Sequence, residues 1–201
     1  MNTVDTDYLV VGAGAAGMAF ADTLIGECGA DVVMVERRDA PGGHWHDAYP
    51  FVRLHQPSAT YGVNSRPLGA NAIDTIGSDA GFYERATAPE ICGYYRKVLD
   101  ETLLPSGRVR FFGMCDYVGD FSGEHIFTSR LTGASTKVHV RRKVVDTTYL
   151  EVAVPATHLP SFAIDADVRF LPVGELVHLD AAPSGYTILG GGKTAMDACC
   201  W

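Results

Sequence analysis

Three glycines and one acid carry the first chemistry in this chain. Gly12, Gly14 and Gly17 stand in "VVGAGAAG" at the spacing GxGxxG, and Glu36 follows nineteen residues after Gly17. Gly12 permits a tight strand-to-helix turn. Gly14 lets main chain approach a pyrophosphate, and Gly17 lets the helix sit close to the strand. Free N–H groups at the helix start can hold the anion. A carboxylate at the Glu36 position can accept hydrogen bonds from ribose hydroxyls. A second cluster, "YTILGGGKTAMDACCW", places Gly190, Gly192 and Ala195 at the spacing GxGxxA.

The elements that must position these residues are readable from the pattern. Tyr8 to Val11 is a short apolar run, expected as a buried parallel strand. Ala15 to Ile25 has helical character, and Asp31 to Val35 returns as a strand ending at Glu36. Strand, glycines, helix, strand and acid in that order predict a dinucleotide site. The competing reading is a glycine-rich turn in an unrelated α/β protein, with Glu36 an ordinary surface carboxylate. Tyr186 to Leu189 is expected as a strand, with a helix beginning at Met196. That predicts a second dinucleotide-binding start, against a glycine turn within the first domain.

After Glu36 comes "RRDAPGGHWHDAYPFVRLHQPS", with Gly42, Gly43, His44 and Trp45 in the order GGxW. On these residues, and on "YPFVRLHQP", the chain resembles the flavin-binding half of FAD- and NAD(P)H-dependent oxidoreductases. The resemblance is strongest to the flavin-containing and Baeyer–Villiger-type monooxygenases and covers most of the chain. It implies FAD in the first site. It implies Arg37 near the adenosine, Gly43 and Trp45 along the cofactor, and Arg53, Leu54, His55 and Gln56 toward the ribityl chain and ring. Gln56 can both donate and accept hydrogen bonds there. Plainer roles stand beside these. Trp45 can be a core aromatic, Arg53 can pair with Asp47, and His55 can transfer protons or shape the pocket. His44 and His46 would face opposite ways if extended, so a metal site is not expected.

In the middle, a glycine-, asparagine- and aspartate-rich loop precedes a helix opened by Pro89, with Ile91, Tyr94, Tyr95, Val98 and Leu99 as its apolar stripe. Val109 to Phe112 is expected as another parallel strand, and "YVGDF", "HIFTSRL" and "KVHVRRKVVDTTY" as alternating strands. By the resemblance, Cys115 contacts adenine through its backbone, and Thr147 and Thr148 pack near the FAD phosphates. Tyr149 stands where the family carries glycine. "VPATHLPSF" is expected as a linker or the border of the substrate side.

Composition narrows the function further. The net charge is −8 over 201 residues, which disfavours broad attraction to nucleic acid. No apolar run is long enough to span a membrane, and the start lacks a signal-peptide pattern. Five cysteines without CxxC spacing fit a reduced, cytoplasmic setting and speak against a disulfide reductase. The expected fold is α/β. A Rossmann-like FAD-binding domain with a parallel sheet spans 1–185, and a truncated nicotinamide-binding region starts over 186–201. The resemblance implies NADPH or NADH in that second region and a small organic substrate. The flavin would take hydride from NAD(P)H and, in a monooxygenase, pass one oxygen atom to substrate. The family's "FxGxxxHxxx" signature is missing, so a general FAD-dependent oxidoreductase is the safer expectation. No residue is assigned to catalysis. The rivals are a flavin-binding module without turnover and a hydroxylase with one dinucleotide domain. The ending predicts an N-terminal portion of a longer enzyme.

Overall fold

Apolar β-branched runs that can be covered on both faces form the centre of the molecule. The computed structural model describes residues 2–77, 79–119, 123–148 and 158–201. Strand β1 (Asn2–Val11) runs into helix α1 (Ala15–Glu27), and β2 (Val32–Val35) lies parallel beside β1, pairing Tyr8 with Val32 and Val11 with Val35. A short hairpin, β3 (Gly62–Val63) and β4 (Arg66–Pro67), precedes helix α2 (Ala88–Val98). The chain then builds β5 (Val109–Phe112), β6 (Cys115–Gly119), β7 (His125–Ser129) and β8 (Ser135–Asp146), and ends with helix α3 (Lys193–Cys200).

The main sheet has six strands in the order β5-β2-β1-β8-β7-β6. Four of them, β5, β2, β1 and β8, are parallel, and β7 and β6 add antiparallel. The side-chain period of two sorts the core. Val10, Val32 and Met34 pack with Met18 of α1 and with Ile91 and Tyr95 of α2. Leu9, Val11, Val33 and Val35 pack with Cys115, Phe127 and Val138.

The turn of the β3–β4 hairpin is fastened to both helices. The Tyr94 hydroxyl accepts from Val63 N at 2.7 Å and donates to Arg66 O at 2.6 Å. The buried Asp22 carboxylate of α1 accepts from Ser65 N at 3.0 Å and from the Ser65 hydroxyl. At the start of α2, Glu90 accepts from Thr87 N at 2.7 Å and Thr87 Oγ1 at 2.8 Å. Those bonds hold the Glu90 carboxyl below the usual glutamate range. Helix α2 continues through a π turn and a 3-10 turn to Gly107, whose φ of +69° ends it.

The strands expected over 8–11, 31–35 and 109–112 are present, β1 beginning earlier, at Asn2. The second cluster requires a correction. Tyr186–Leu189 is not a strand, and α3 starts at Lys193 rather than Met196. A strand needs a neighbour for its N–H and C=O groups. Among the described residues none pairs with 186–189, and Tyr186 and Leu189 are exposed. Tyr149, the end of "YVGDF" and the first part of "VPATHLPSF" lie outside the described residues.

Two stability outcomes follow from these contacts. Tyr94→Phe leaves the buried Val63 N–H without its acceptor and should cost about 1–3 kcal/mol in urea denaturation. Glu90→Gln should cost about 0.5–1 kcal/mol near neutral pH. Because the folded carboxyl titrates below its unfolded value, its contribution is present above the unfolded range near ~4.3. That contribution disappears as pH falls through the folded value. Wild type and variant should therefore converge in stability under acid.

Candidate dinucleotide site

At the carboxyl ends of β1, β2 and β8, three backbone segments converge. Gly12 follows β1 with φ +93°, a conformation that favours glycine. Its amide donates to Val35 O at 2.8 Å. Gly14 is the N-cap of α1 and brings no side chain to close the helix. The first N–H groups of the helix have no intrahelical acceptor, so they remain available to an anion. A Cβ at Gly17 would strike Gly12 O. The helix therefore lies against the turn as closely as main chain permits.

Glu36 is the buried acid of the site, 3% exposed. One carboxylate oxygen accepts from Ala13 N at 2.7 Å and the other from Arg38 N at 2.9 Å. Its own carbonyl accepts from Cys115 N at 3.0 Å. The Arg38 guanidinium lies 4.0 Å from Glu36 and forms an ion pair with Asp47. Asp47 thus pairs with Arg38, and the pairing considered for Arg53 does not form. Arg53 instead donates to Arg85 O at 2.9 Å and lies 4.0 Å from Asp79. The Arg37 carbonyl accepts from Arg130 Nη1 at 3.2 Å.

The GGHWH stretch is a 3-10 turn over Gly43–Asp47, not an extended segment. Gly42 N donates to Ala13 O at 2.9 Å and seats this turn on the first one. A Cβ at Gly43 would come within 2.9 Å of Gly14 Cα. Trp45 donates its indole N–H to the Tyr61 hydroxyl at 2.8 Å and packs against the core. The His44 ring lies 5.0 Å from that of Trp45. Desolvation, then the Arg38 charge, hold His44 below the usual histidine range, so it is neutral at pH 7. His46 faces Pro41 O and Cys92 instead. Among the described residues no group of three metal-ligating side chains is placed to hold an ion.

Of the segment expected near a flavin ring, Leu54 is buried in the core with Val10 and Ala13. Its amide donates to Ala86 O at 2.9 Å. Arg53 and His55 are exposed, and Gln56 is half-buried. The Cys115 side chain is buried, and its amide is committed to Glu36 O. Thr148 donates to Asp146 through its amide at 2.8 Å and its hydroxyl at 2.6 Å. Both threonines border the glycine turn: Thr147 donates to Val11 O at 2.7 Å with Gly12 O at 3.2 Å, and a Cβ at Gly12 would meet the Thr148 methyl at 3.1 Å. Arg38 was not foreseen. An arginine two residues beyond the acid, with Asp47 nine further on, was the available signal.

The second cluster sits against the same body. Gly190 has φ +128°, and a Cβ there would lie 3.8 Å from the Ala195 Cβ. Gly192 caps α3. The Tyr49 hydroxyl donates to Asp197 at 2.6 Å, and Trp201 stacks on Phe51 at 5.2 Å. Desolvation and the Asp197 carboxylate push the Tyr49 phenol up to about 12. Lys193 pairs with Asp197.

Comparison with known proteins follows the same outline. Residues 10–71 match the model of an NAD(P)-binding Rossmann-like domain. An uncharacterized protein of Mycobacterium tuberculosis is 50% identical over 99% of this chain, which spans only 36% of that protein's length. Among solved structures, a flavin-containing monooxygenase from Stenotrophomonas maltophilia aligns with TM-score 0.50 at 18% identity, over 74% of this chain and 39% of its own. A cyclohexanone monooxygenase gives 0.50 at 22%, over 79% and 28%. The bacillithiol disulfide reductase of Bacillus cereus gives 0.54 at 13%, over 71% and 39%. No helix among the described residues is long and apolar enough to cross a membrane. The chain thus has a Rossmann-like α/β fold, carries a match to the NAD(P)-binding Rossmann-like domain over residues 10–71, and is similar in fold to part of these larger monooxygenases.

Proposed function

We propose that this chain forms the FAD-binding part of an NAD(P)H-dependent flavoprotein oxidoreductase. The observation that carries this reading is the contact between two glycine turns. Gly43 rests against Gly14 so closely that a Cβ on Gly43 would enter the first turn. A nicotinamide site of this fold needs only the first turn. The second adds Gly42 and Gly43 to the main chain beside the start of α1, an addition that a longer, flavin dinucleotide would use.

The residues fit such a group. Glu36 spends one lone pair of each oxygen on backbone N–H groups and keeps the others for ribose hydroxyls. The first turn of α1 offers unpaired N–H groups to the pyrophosphate. Arg37 and the Cys115 carbonyl would border the adenosine. Thr148 would stand near the phosphates, and Arg53, Leu54, His55 and Gln56 would edge the flavin ring. When bound, FAD supplies the two-electron redox chemistry, and the chain supplies binding and orientation. Gly190, Gly192 and Ala195 would open the NADPH or NADH site of the whole protein, with a small organic substrate completing the set. The chain is proposed to work in the cytoplasm.

The matched family model describes NAD(P) binding, which favours a second reading: a nicotinamide dinucleotide at the first glycine turn. One titration separates the two. The protein should bind FAD, read by flavin fluorescence, more tightly than NADPH or NADH. Gly14→Val should weaken FAD about 100-fold, which corresponds to ~2.7 kcal/mol. Gly14→Ala is the control for folding, since its Cβ would meet nothing closer than Gly43 Cα at 3.5 Å. A folded Gly14→Val with unchanged FAD affinity, or tighter binding of NADPH than FAD, would overturn the proposal. Anaerobic bleaching of the bound flavin by NAD(P)H in the full-length protein then distinguishes an oxidoreductase from a flavin-carrying module.

A further inference from the structure

Behind the second glycine turn lies a cavity of about 350 Å³, lined by Trp45, His46, Ala48, Pro50, Pro89 and Cys92 among others. Two of these residues form a chemical pair. Cys92 Sγ stands 3.9 Å from His46 Nδ1, and His46 Nε2 stands 3.0 Å from Pro41 O. A carbonyl oxygen only accepts, so the Pro41 contact places the imidazole proton on Nε2. Nδ1 then turns its lone pair toward the thiol. Nucleophile, base and a third group orienting the base are the parts of an activated nucleophile.

We propose that Cys92 is a modification site for small disulfides, with His46 as its base, and that its adduct acts on the Gly42–Gly43 turn. Burial pushes the Cys92 thiol up, against a smaller opposing pull from the Arg38 charge. The resting group is therefore a thiol, and its reaction requires a proton acceptor in place. In the exchange, Cys92 Sγ attacks one sulfur of R–S–S–R while His46 Nδ1 takes the thiol proton. The R–S–S–R bond breaks and a Cys92–S–S–R bond forms. The departing thiolate receives the proton from His46 and leaves as RSH. The disulfide is the oxidant, so electrons balance without another reagent.

The link to the glycine turn is steric. Gly42 has φ +139°, and a Cβ there would lie 2.8 Å from His46 Nε2 and 3.1 Å from Cys92 Sγ. The pair therefore packs directly on the Gly42 main chain, whose amide holds Ala13 O. A group added to Sγ presses on that contact. This consequence, unlike the thiol chemistry, rests on the proposed FAD site.

The test treats the protein with bis(2-hydroxyethyl) disulfide and follows each cysteine by peptide mass mapping. Cys199 and Cys200 are exposed and serve as internal references. Cys92 should react at least about tenfold faster than either. His46→Gln should cut the Cys92 rate at least about tenfold and leave Cys199 and Cys200 unchanged. Cys92 reacting no faster than its exposed counterparts, or at an unchanged rate in His46→Gln, would overturn the site. The adduct should bind FAD about tenfold more weakly and recover with dithiothreitol, while Cys92→Ala treated alike should not change. An adduct with unchanged FAD affinity would overturn the coupling. A protein that reacts at Cys92 as described yet binds no FAD at all supports the thiol site and sinks the flavin reading alone.

Discussion

The buried carboxylate of Glu36 is the interaction on which the loops at the top of the sheet depend. A charge removed from water is tolerated only where hydrogen bonds replace its hydration. Here two backbone N–H groups do so, one from Ala13 and one from Arg38. Each bond ties a different loop to the end of β2. Ala13 belongs to the first glycine turn. Arg38 opens the segment that leads to the second, and its guanidinium reaches across to Asp47 at the far end of that turn. The Glu36 main chain also joins β5 to β6, through Phe112 O and Cys115 N. One acid thus organises the glycine turns from within.

Close packing of main chain does the remaining positioning. Gly17 against Gly12 sets the depth of α1, and Thr147 locks β8 to the same turn by its hydroxyl. Gly43 against Gly14 sets the second turn on the first. The outcome is a surface of backbone with few side chains at the carboxyl ends of parallel strands. That is where open α/β sheets bind their ligands, at the point where strand order reverses. Here the reversal falls at β1, flanked by β2 and β8.

The Gly190 region shows how far a local motif goes without its partners. Gly190, Gly192 and Ala195 still make a small-residue turn into a helix, because those conformations are local. The strand before them does not form, because a strand needs a second strand to pair with and none among the described residues lies beside 186–189. Helix α3 finds its contacts elsewhere, through Tyr49, Phe51 and their partners Asp197 and Trp201.

The sequence by itself determined the parallel α/β core and the first glycine turn. Each is written in adjacent residues: apolar runs at Leu9–Val11 and Val32–Val35, glycines at fixed spacing, and an acid at the strand end. Helix α2 was equally legible, since Pro89 and the apolar stripe lie within one short segment, though its Thr87–Glu90 cap was seen only in the structure. Only the tertiary structure decided who meets whom across the chain. It gave Asp47 to Arg38 rather than Arg53, and set Thr147 and Thr148 beside Gly12, 135 and 136 residues away. It also brought His46 to Cys92, forty-six residues away. Spacing fixes the conformation of a turn because the relevant dihedrals belong to neighbours. It cannot fix contacts between distant segments, because those depend on how every intervening element packs.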